Sequence, residues 1–129
     1  MPHLSIQYSP QLAQRHDMAG LCKQLREVMI DQGCFPVGGI RVRAWPTPAE
    51  ALADGHPNNC YADMILRLGT GRTTEAKQAA GAALMAGVEA FFASELKAGH
   101  MMLALEIVEI NGEMSWKTNT VHARLGGTL

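Results

Sequence analysis

Aromatic side chains are scarce in this chain: three Phe, two Trp and two Tyr make up 5% of 129 residues. Base-stacking platforms for single-stranded nucleic acid need more. An excess of one charge is missing too. Eleven Lys and Arg stand against twelve Asp and Glu with no basic block, so neither nucleic acid nor an anionic membrane surface is expected as a partner. The three cysteines, Cys22, Cys34 and Cys60, are too far apart for a Cys-x-x-Cys element. They read as small hydrophobes in a reducing compartment. His3, His16, His56, His100 and His122 fall in no His-x-x-x-His or Glu-x-x-His grouping, so no metal site is expected. Gly69-Thr70-Gly71-Arg72 lacks both the full Gly-x-Gly-x-x-Gly pattern and a Walker lysine, which leaves no nucleotide signature. No basic n-region precedes an apolar run, and no apolar stretch is long enough to span a bilayer. A cytoplasmic protein without membrane or cofactor is the expectation.

What is present describes an ordinary folded domain. Hydrophobic residues make up 47% and charged residues 18%, enough for one core spanning residues 1–129. Leu4, Ile6 and Tyr8 alternate with Ser5 and Gln7, which predicts a first strand with one buried face. From about Gln11 to Gln32, Met18, Leu21, Cys22, Leu25, Val28 and Met29 recur at helical spacing, and Gly33 is the expected stop. A Pro- and Gly-rich connector, residues 34–39, leads into an alternating strand over 40–45. Residues 46–59 read as a linker with one helical turn over Ala49 to Ala53. Cys60 to Leu68 is predicted as a third strand. Thr73 or Thr74 caps a helix reaching about Ala98, which Gly99 ends. Met101 to Ile110 is the fourth strand, Asn111-Gly112 a hairpin turn, and Met114 to Ala123 a closing strand or arm within a C-terminal stretch 111–129.

The order is therefore strand–helix–strand twice, about 2–45 and about 60–110. The crossover rule makes each pair of strands parallel and places both helices on one face of a four-stranded α+β sheet. The other face is left bare, with Arg41, Arg43 and Trp45 together on it beside apolar residues from the first, third and fourth strands. Covering it calls for other copies of the chain, so a homo-oligomer is expected.

Three residues are candidates for chemistry. Pro2, at the mouth of the first strand, is by itself most simply a strand opener, because its missing N–H costs nothing there. Once Met1 is removed, however, it is a rigid secondary amine. Burial or nearby cations would lower the usual amine pKa of about 8 and make it a base at neutral pH. Arg41 shares a sheet face with Arg43 and Trp45. Such a guanidinium either snorkels over solvent or binds a carboxylate bidentately. Arg72 follows a glycine turn beside a helix N-terminus, where anions are favoured.

Four blocks occur in order: Pro2-His3-Leu4; Gly33-x-Phe35-Pro36-x-Gly38-Gly39-Ile40-Arg41-x-Arg43; Leu68-Gly69-x-Gly71-Arg72; and Asn119-x-Val121-His122-Ala123. Together they span essentially the whole chain. In this it resembles the 5-carboxymethyl-2-hydroxymuconate isomerase family of the tautomerase superfamily. The resemblance implies a duplicated βαβ fold assembled as a homotrimer and a cofactor-independent isomerase. Pro2 would be the catalytic base and acid, with Arg41 and Arg72 holding and polarising a small carboxylate substrate. The implied setting is bacterial breakdown of homoprotocatechuate and 4-hydroxyphenylacetate. No catalytic role is expected for Arg43. Two other readings fit the same scaffold: a tautomerase acting on a smaller 2-oxo or 2-hydroxy acid, and a non-catalytic trimeric binding module.

Overall fold

The computed structural model describes residues 1–127. Its centre is β1 (His3–Tyr8), with Leu4 and Ile6 fully buried and Tyr8 nearly so. Next to it run β2 (Arg41–Pro46) in parallel and β3 (Cys60–Leu68) antiparallel, and β4 (Met101–Glu109) closes the order β2-β1-β3-β4 parallel to β3. The alternation of β3 is strict: Ala62, Met64, Leu66 and Leu68 are buried while Asp63, Ile65 and Arg67 are exposed. This is the period-2 pattern of a sheet with one covered face.

The cover is two helices. In α2 (Met18–Gln32), Met18, Leu21, Leu25 and Met29 form the buried stripe. Asp17 accepts a hydrogen bond from the Gly20 N–H at its start, and Gly33, at φ 73°, ends it in the left-handed region. In α3 (Thr74–Phe91), the Thr73 hydroxyl accepts from the Ala76 N–H, and Ala80, Leu84 and Val88 face the core. Small residues let α3 come close: a Cβ at Gly87 would already touch the Leu25 side chain at 3.4 Å. Leu4, Ile6, Leu25, Met64, Leu84 and Val88 lie between these layers with almost no exposure. Truncating one such Leu to Ala costs about 2–5 kcal/mol.

Both expected helices are interrupted, each for a tertiary reason. The first breaks into α1 (Leu12–Arg15) and α2 because His16 adopts an extended backbone (φ −134°, ψ 150°). Its ring packs between Phe91 and Phe92 and bonds Glu95 at 2.6 Å. The second breaks at Phe92 (φ −101°, ψ 27°), fully buried and edge-on to Phe91, before resuming as α4 (Ala93–Ala98) and ending at left-handed Gly99. The helical turn expected over Ala49 to Ala53 does not form. Ala53 itself has a positive φ of 48°, and the Leu52 carbonyl is taken by the Gly55 N–H and the Asn59 amide.

The end of the chain also differs from expectation. Asn111-Gly112 is not a hairpin: the Asn111 side chain accepts from the Glu113 N–H and opens a short 3-10 turn, Gly112–Met114. Met114 to Ala123 pairs with no strand. It crosses the sheet end as an arm and finishes in α5 (Thr120–Arg124), capped by Asn119. That helix packs on the connector turn so closely that a Cβ at Gly38 would sit 2.5 Å from the His122 Cα. Thr128 and Leu129, the tip of the expected C-terminal stretch, lie outside the described residues.

The helix-free face of the sheet is more polar than expected. The apolar sets of β1 and β3 lie under the helices, and what remains open is Trp45, Ile65, Met102 and Val108 among charged and polar neighbours. No helix among the described residues is long and apolar enough to cross a membrane. No three His, Cys, Asp or Glu among them are grouped to hold a metal ion.

Candidate functional site

The strand register decides which side chains meet at the Pro2 end. His3 lies opposite Arg41 on β2 and opposite Arg67 on β3, so Arg41, His3 and Arg67 form one row across the outer face. Pro2 is buried just behind that row, and its carbonyl accepts the Arg41 N–H at 3.1 Å. Sequence reasoning named Pro2 and Arg41, and the fold brings them together.

His3 was missed as a site residue, although the outward alternation of the first strand was visible. Its Nε2 is 2.7 Å from Arg41 Nη1. Burial, followed by the charges of Arg41, Arg67, Arg43 and the amino terminus, pushes its pKa down to about 4. At neutral pH the ring is therefore uncharged and accepts the Arg41 hydrogen bond through a lone pair. A carboxylate in that place would neutralise Arg41. A neutral imidazole orients the guanidinium and leaves its positive charge available.

The amino terminus sits in the same field. The Met1 amino group is held below its usual value of 8.0, by burial first and then by the charges of Lys117, Arg72 and Arg41. Its side chain occupies the site: the Met1 sulfur accepts from Asn119 Nδ2 at 3.1 Å and faces Arg41 Nη2 at 3.8 Å. Gly39 makes room for it, since a Cβ there would lie 3.3 Å from Met1 Cγ.

Arg72 is close enough to lower the Met1 amine, yet it stands behind the cavity rather than on its wall. Its Nε donates to the Cys34 carbonyl at 3.0 Å, its Nη1 to Gly69 at 3.2 Å, and the guanidinium stacks 5.0 Å over Phe35. Those contacts fix its plane just ahead of the Thr73 cap of α3. Arg43 points along the outer face toward Ser5, away from this cluster.

A cavity of about 550 Å³ opens at this end, a size suited to a small ligand. Met1, His3, Arg41, Arg67 and Ile110 line it, together with Trp116 and Lys117 on the arm. The arm is anchored by Asn119, which is buried, donates to the Gly38 carbonyl at 2.8 Å and accepts from the His122 N–H at 2.9 Å. Lys117 had no signal in the sequence, because the segment was read only as a closing strand or arm, with no indication of what it lies against. The charged residues of the lining are Arg41, Arg67 and Lys117, and no Asp or Glu is among them. Chemically, the site offers a field that binds carboxylates and lowers the pKa of any amine placed within it.

Comparison with known proteins follows the same outline. The family model described as 5-carboxymethyl-2-hydroxymuconate isomerase matches residues 2–125. A 5-carboxymethyl-2-hydroxymuconate Delta-isomerase from Escherichia coli is 31% identical over 123 residues, covering 95% of this chain and 98% of that protein. The crystal structure of a 5-carboxymethyl-2-hydroxymuconate isomerase from Deinococcus radiodurans R1 superposes with a TM-score of 0.89 at 36% identity, covering 96% of this chain and 93% of the other. More distantly, a fused 4-OT described as a symmetric trimer shares the fold at a TM-score of 0.66 and 20% identity, covering 96% of this chain and 98% of its own.

Proposed function

The chain belongs to the 5-carboxymethyl-2-hydroxymuconate isomerase family, and on that premise we propose that it isomerises 5-carboxymethyl-2-hydroxymuconate to its 2-oxo form through Pro2, without a cofactor. The observation that carries this reading is the placement of buried Pro2 next to Arg41, at a cavity whose charged lining is wholly cationic. Loss of Met1 converts the Pro2 amide into a secondary amine within the field of Lys117, Arg72 and Arg41 that already lowers the Met1 amine. It also frees the Arg41 and Asn119 donors now turned toward the Met1 sulfur.

The chemistry is one proton moved twice. The Pro2 nitrogen takes the proton of the substrate's 2-hydroxyl, so an O–H bond breaks and an N–H bond forms. Negative charge develops on the 2-oxygen and spreads along the conjugated carbons. Arg41, held in plane by neutral His3, stabilises that charge, and Arg72, fixed by the Cys34 and Gly69 carbonyls, adds its charge to the field around the amine. The ammonium then returns the proton to a distant carbon, closing a C–H bond and regenerating the amine. An amine titrating near neutrality does both halves well, since it accepts and releases a proton at comparable cost. Three reduced thiols, at Cys22, Cys34 and Cys60, agree with a cytoplasmic enzyme. The part-apolar outer face favours a homotrimer, and breakdown of aromatic acids such as homoprotocatechuate is the setting that fits the substrate.

The test combines mass and activity. Intact-mass measurement on natively expressed protein is expected to show Met1 removed. Pro2→Ala should lower kcat by about 10²- to 10⁴-fold, the usual share of a positioned acid–base group. Full activity with Met1 retained would sink the proline mechanism.

A further inference from the structure

Two arginines do not account for a substrate with three carboxylates. On the reading just given, Arg41 serves the 2-oxygen side, while the cavity is lined by two further cations with no substrate contact assigned to them. Arg67 stands at the end of β3, directly across from His3, and Lys117 faces the same space from the arm. Among the described residues, ion pairs engage Arg15, Arg26 and Lys77, and neither Arg67 nor Lys117 takes part in one. The arm that carries Lys117 is tied down two residues later by buried Asn119, which fixes the backbone from which the exposed Lys117 side chain lines the cavity.

We propose that Arg67 and Lys117 determine specificity for a tricarboxylate, gripping together the carboxylate that distinguishes it from a dicarboxylate. The inference rests on the isomerase reading of the site. Both side chains line the cavity, one from the sheet and one from the arm. A carboxylate between them meets two cations and no competing acid. Arg41 remains for the charge that builds up during proton transfer. At the distinguishing carboxylate, Arg67 and Lys117 touch charge that is present throughout, so that grip contributes binding rather than rate.

Binding and turnover separate this inference from the reading beneath it. Calorimetric titration of the processed protein with propane-1,2,3-tricarboxylate and with pentanedioate should show the tricarboxylate bound about tenfold or more tightly, as a charge-assisted grip on one more carboxylate provides. Arg67→Met and Lys117→Met should each bring that ratio close to one, with the loss falling mainly on the tricarboxylate. Lys117→Arg should restore the ratio. Both positions are exposed, so folding is spared, and matching thermal melts check this. In turnover, the same Met variants should raise KM for 5-carboxymethyl-2-hydroxymuconate by a clearly larger factor than KM for 2-hydroxymuconate, while any change in kcat from the lost field charge falls on both substrates alike. Equal affinity of the parent for the two probes, or equal losses for both in the variants, would overturn the inference. A parent that turns over neither dienol would instead remove the isomerase reading, and the binding ratio would still decide what Arg67 and Lys117 do.

Discussion

The two ends of the sheet are built alike and charged differently. At one end Pro2 and the start of β2 meet the close of β3; at the other, the close of β1 meets the starts of β3 and β4. Each end has a buried residue at a strand opening, Pro2 in the first unit and Cys60, 1% exposed, in the second. Each also has a cavity, about 550 Å³ beside Pro2 and about 240 Å³ beside Cys60. Around Pro2 the cations lack carboxylate partners among the described residues. Around Cys60, Arg15 and His16 both converge on buried Glu95, at 3.3 and 2.6 Å. Burial pushes the Cys60 thiol pKa up, which keeps it protonated. The two strand openings are equivalent in topology, and charge pairing sets them apart: unpaired cations around one, a buried ion-pair knot beside the other.

Removing one cation from each end tests that contrast most severely. Arg41→Ala should lower kcat/KM by about 10²- to 10³-fold, as loss of a preorganised charge donor does, with little change in Tm. Arg15→Ala should leave kcat/KM within about twofold, since a half-exposed ion pair contributes chiefly to packing of α1 on α4. Steady-state kinetics on the two variants decides it. Comparable activity losses would mean the ends are not divided as described.

Stability should show the reverse order. Glu95 ties His16, Arg15 and the Ser94 hydroxyl into one knot beneath the break between α3 and α4. Glu95→Ala leaves those donors unpaired and should cost about 2 kcal/mol, lowering Tm by roughly 5–10 °C. Activity per folded molecule should be kept. Burial alone would raise the Glu95 pKa, but hydrogen bonds from His16, its own backbone N–H and Ser94, with the His16 charge, outweigh it and hold the carboxyl below 4.5. Its contribution is thus complete above pH 4.5 and disappears as pH falls through the lower folded value. Melting curves of parent and Glu95→Gln should converge across that window, and a constant gap would contradict it.

The same division explains which features could be read from the chain. The strands were legible because alternation is local: Leu4, Ile6 and Tyr8 announce β1 without knowledge of any partner. Gly33, Thr73 and Gly99 likewise mark helix ends by their own backbone and side-chain chemistry. The break at His16 was not read, although residues 14–17 are all polar and Asp17 is a good cap, because its partners Phe91, Phe92 and Glu95 lie far along the chain. Phe92 hid in the same way, a buried ring within a stretch of good helix formers. At the site, Pro2, Arg41 and Arg72 stood in recognisable blocks. Arg67 joined them only through the antiparallel register of β1 and β3, and Lys117 only through the arm held by Asn119. Long-range pairing was the missing information in each case.

The smallest effect concerns His3, which ties the two ends together through pH. Followed by NMR, His3 should titrate at about 4 in the parent, well below its usual 6.5. Arg41→Ala should move it upward only part of the way, because burial is the leading cause and Arg67 remains on the other side. A base that is depressed on folding takes up its proton more readily when unfolded. Stability from this end is therefore complete above 6.5, declines as pH falls toward 4 and is constant below that. Solvent around the ring keeps the amplitude modest. The Pro2 end thus starts to weaken at a pH where the Glu95 end is still at full strength. Protonated His3 can no longer accept from Arg41, so activity should fall below about pH 4 even in molecules that remain folded. A parent in which His3 titrates near 6.5 would remove the neutral acceptor, and with it the argument that Arg41 is oriented without being neutralised.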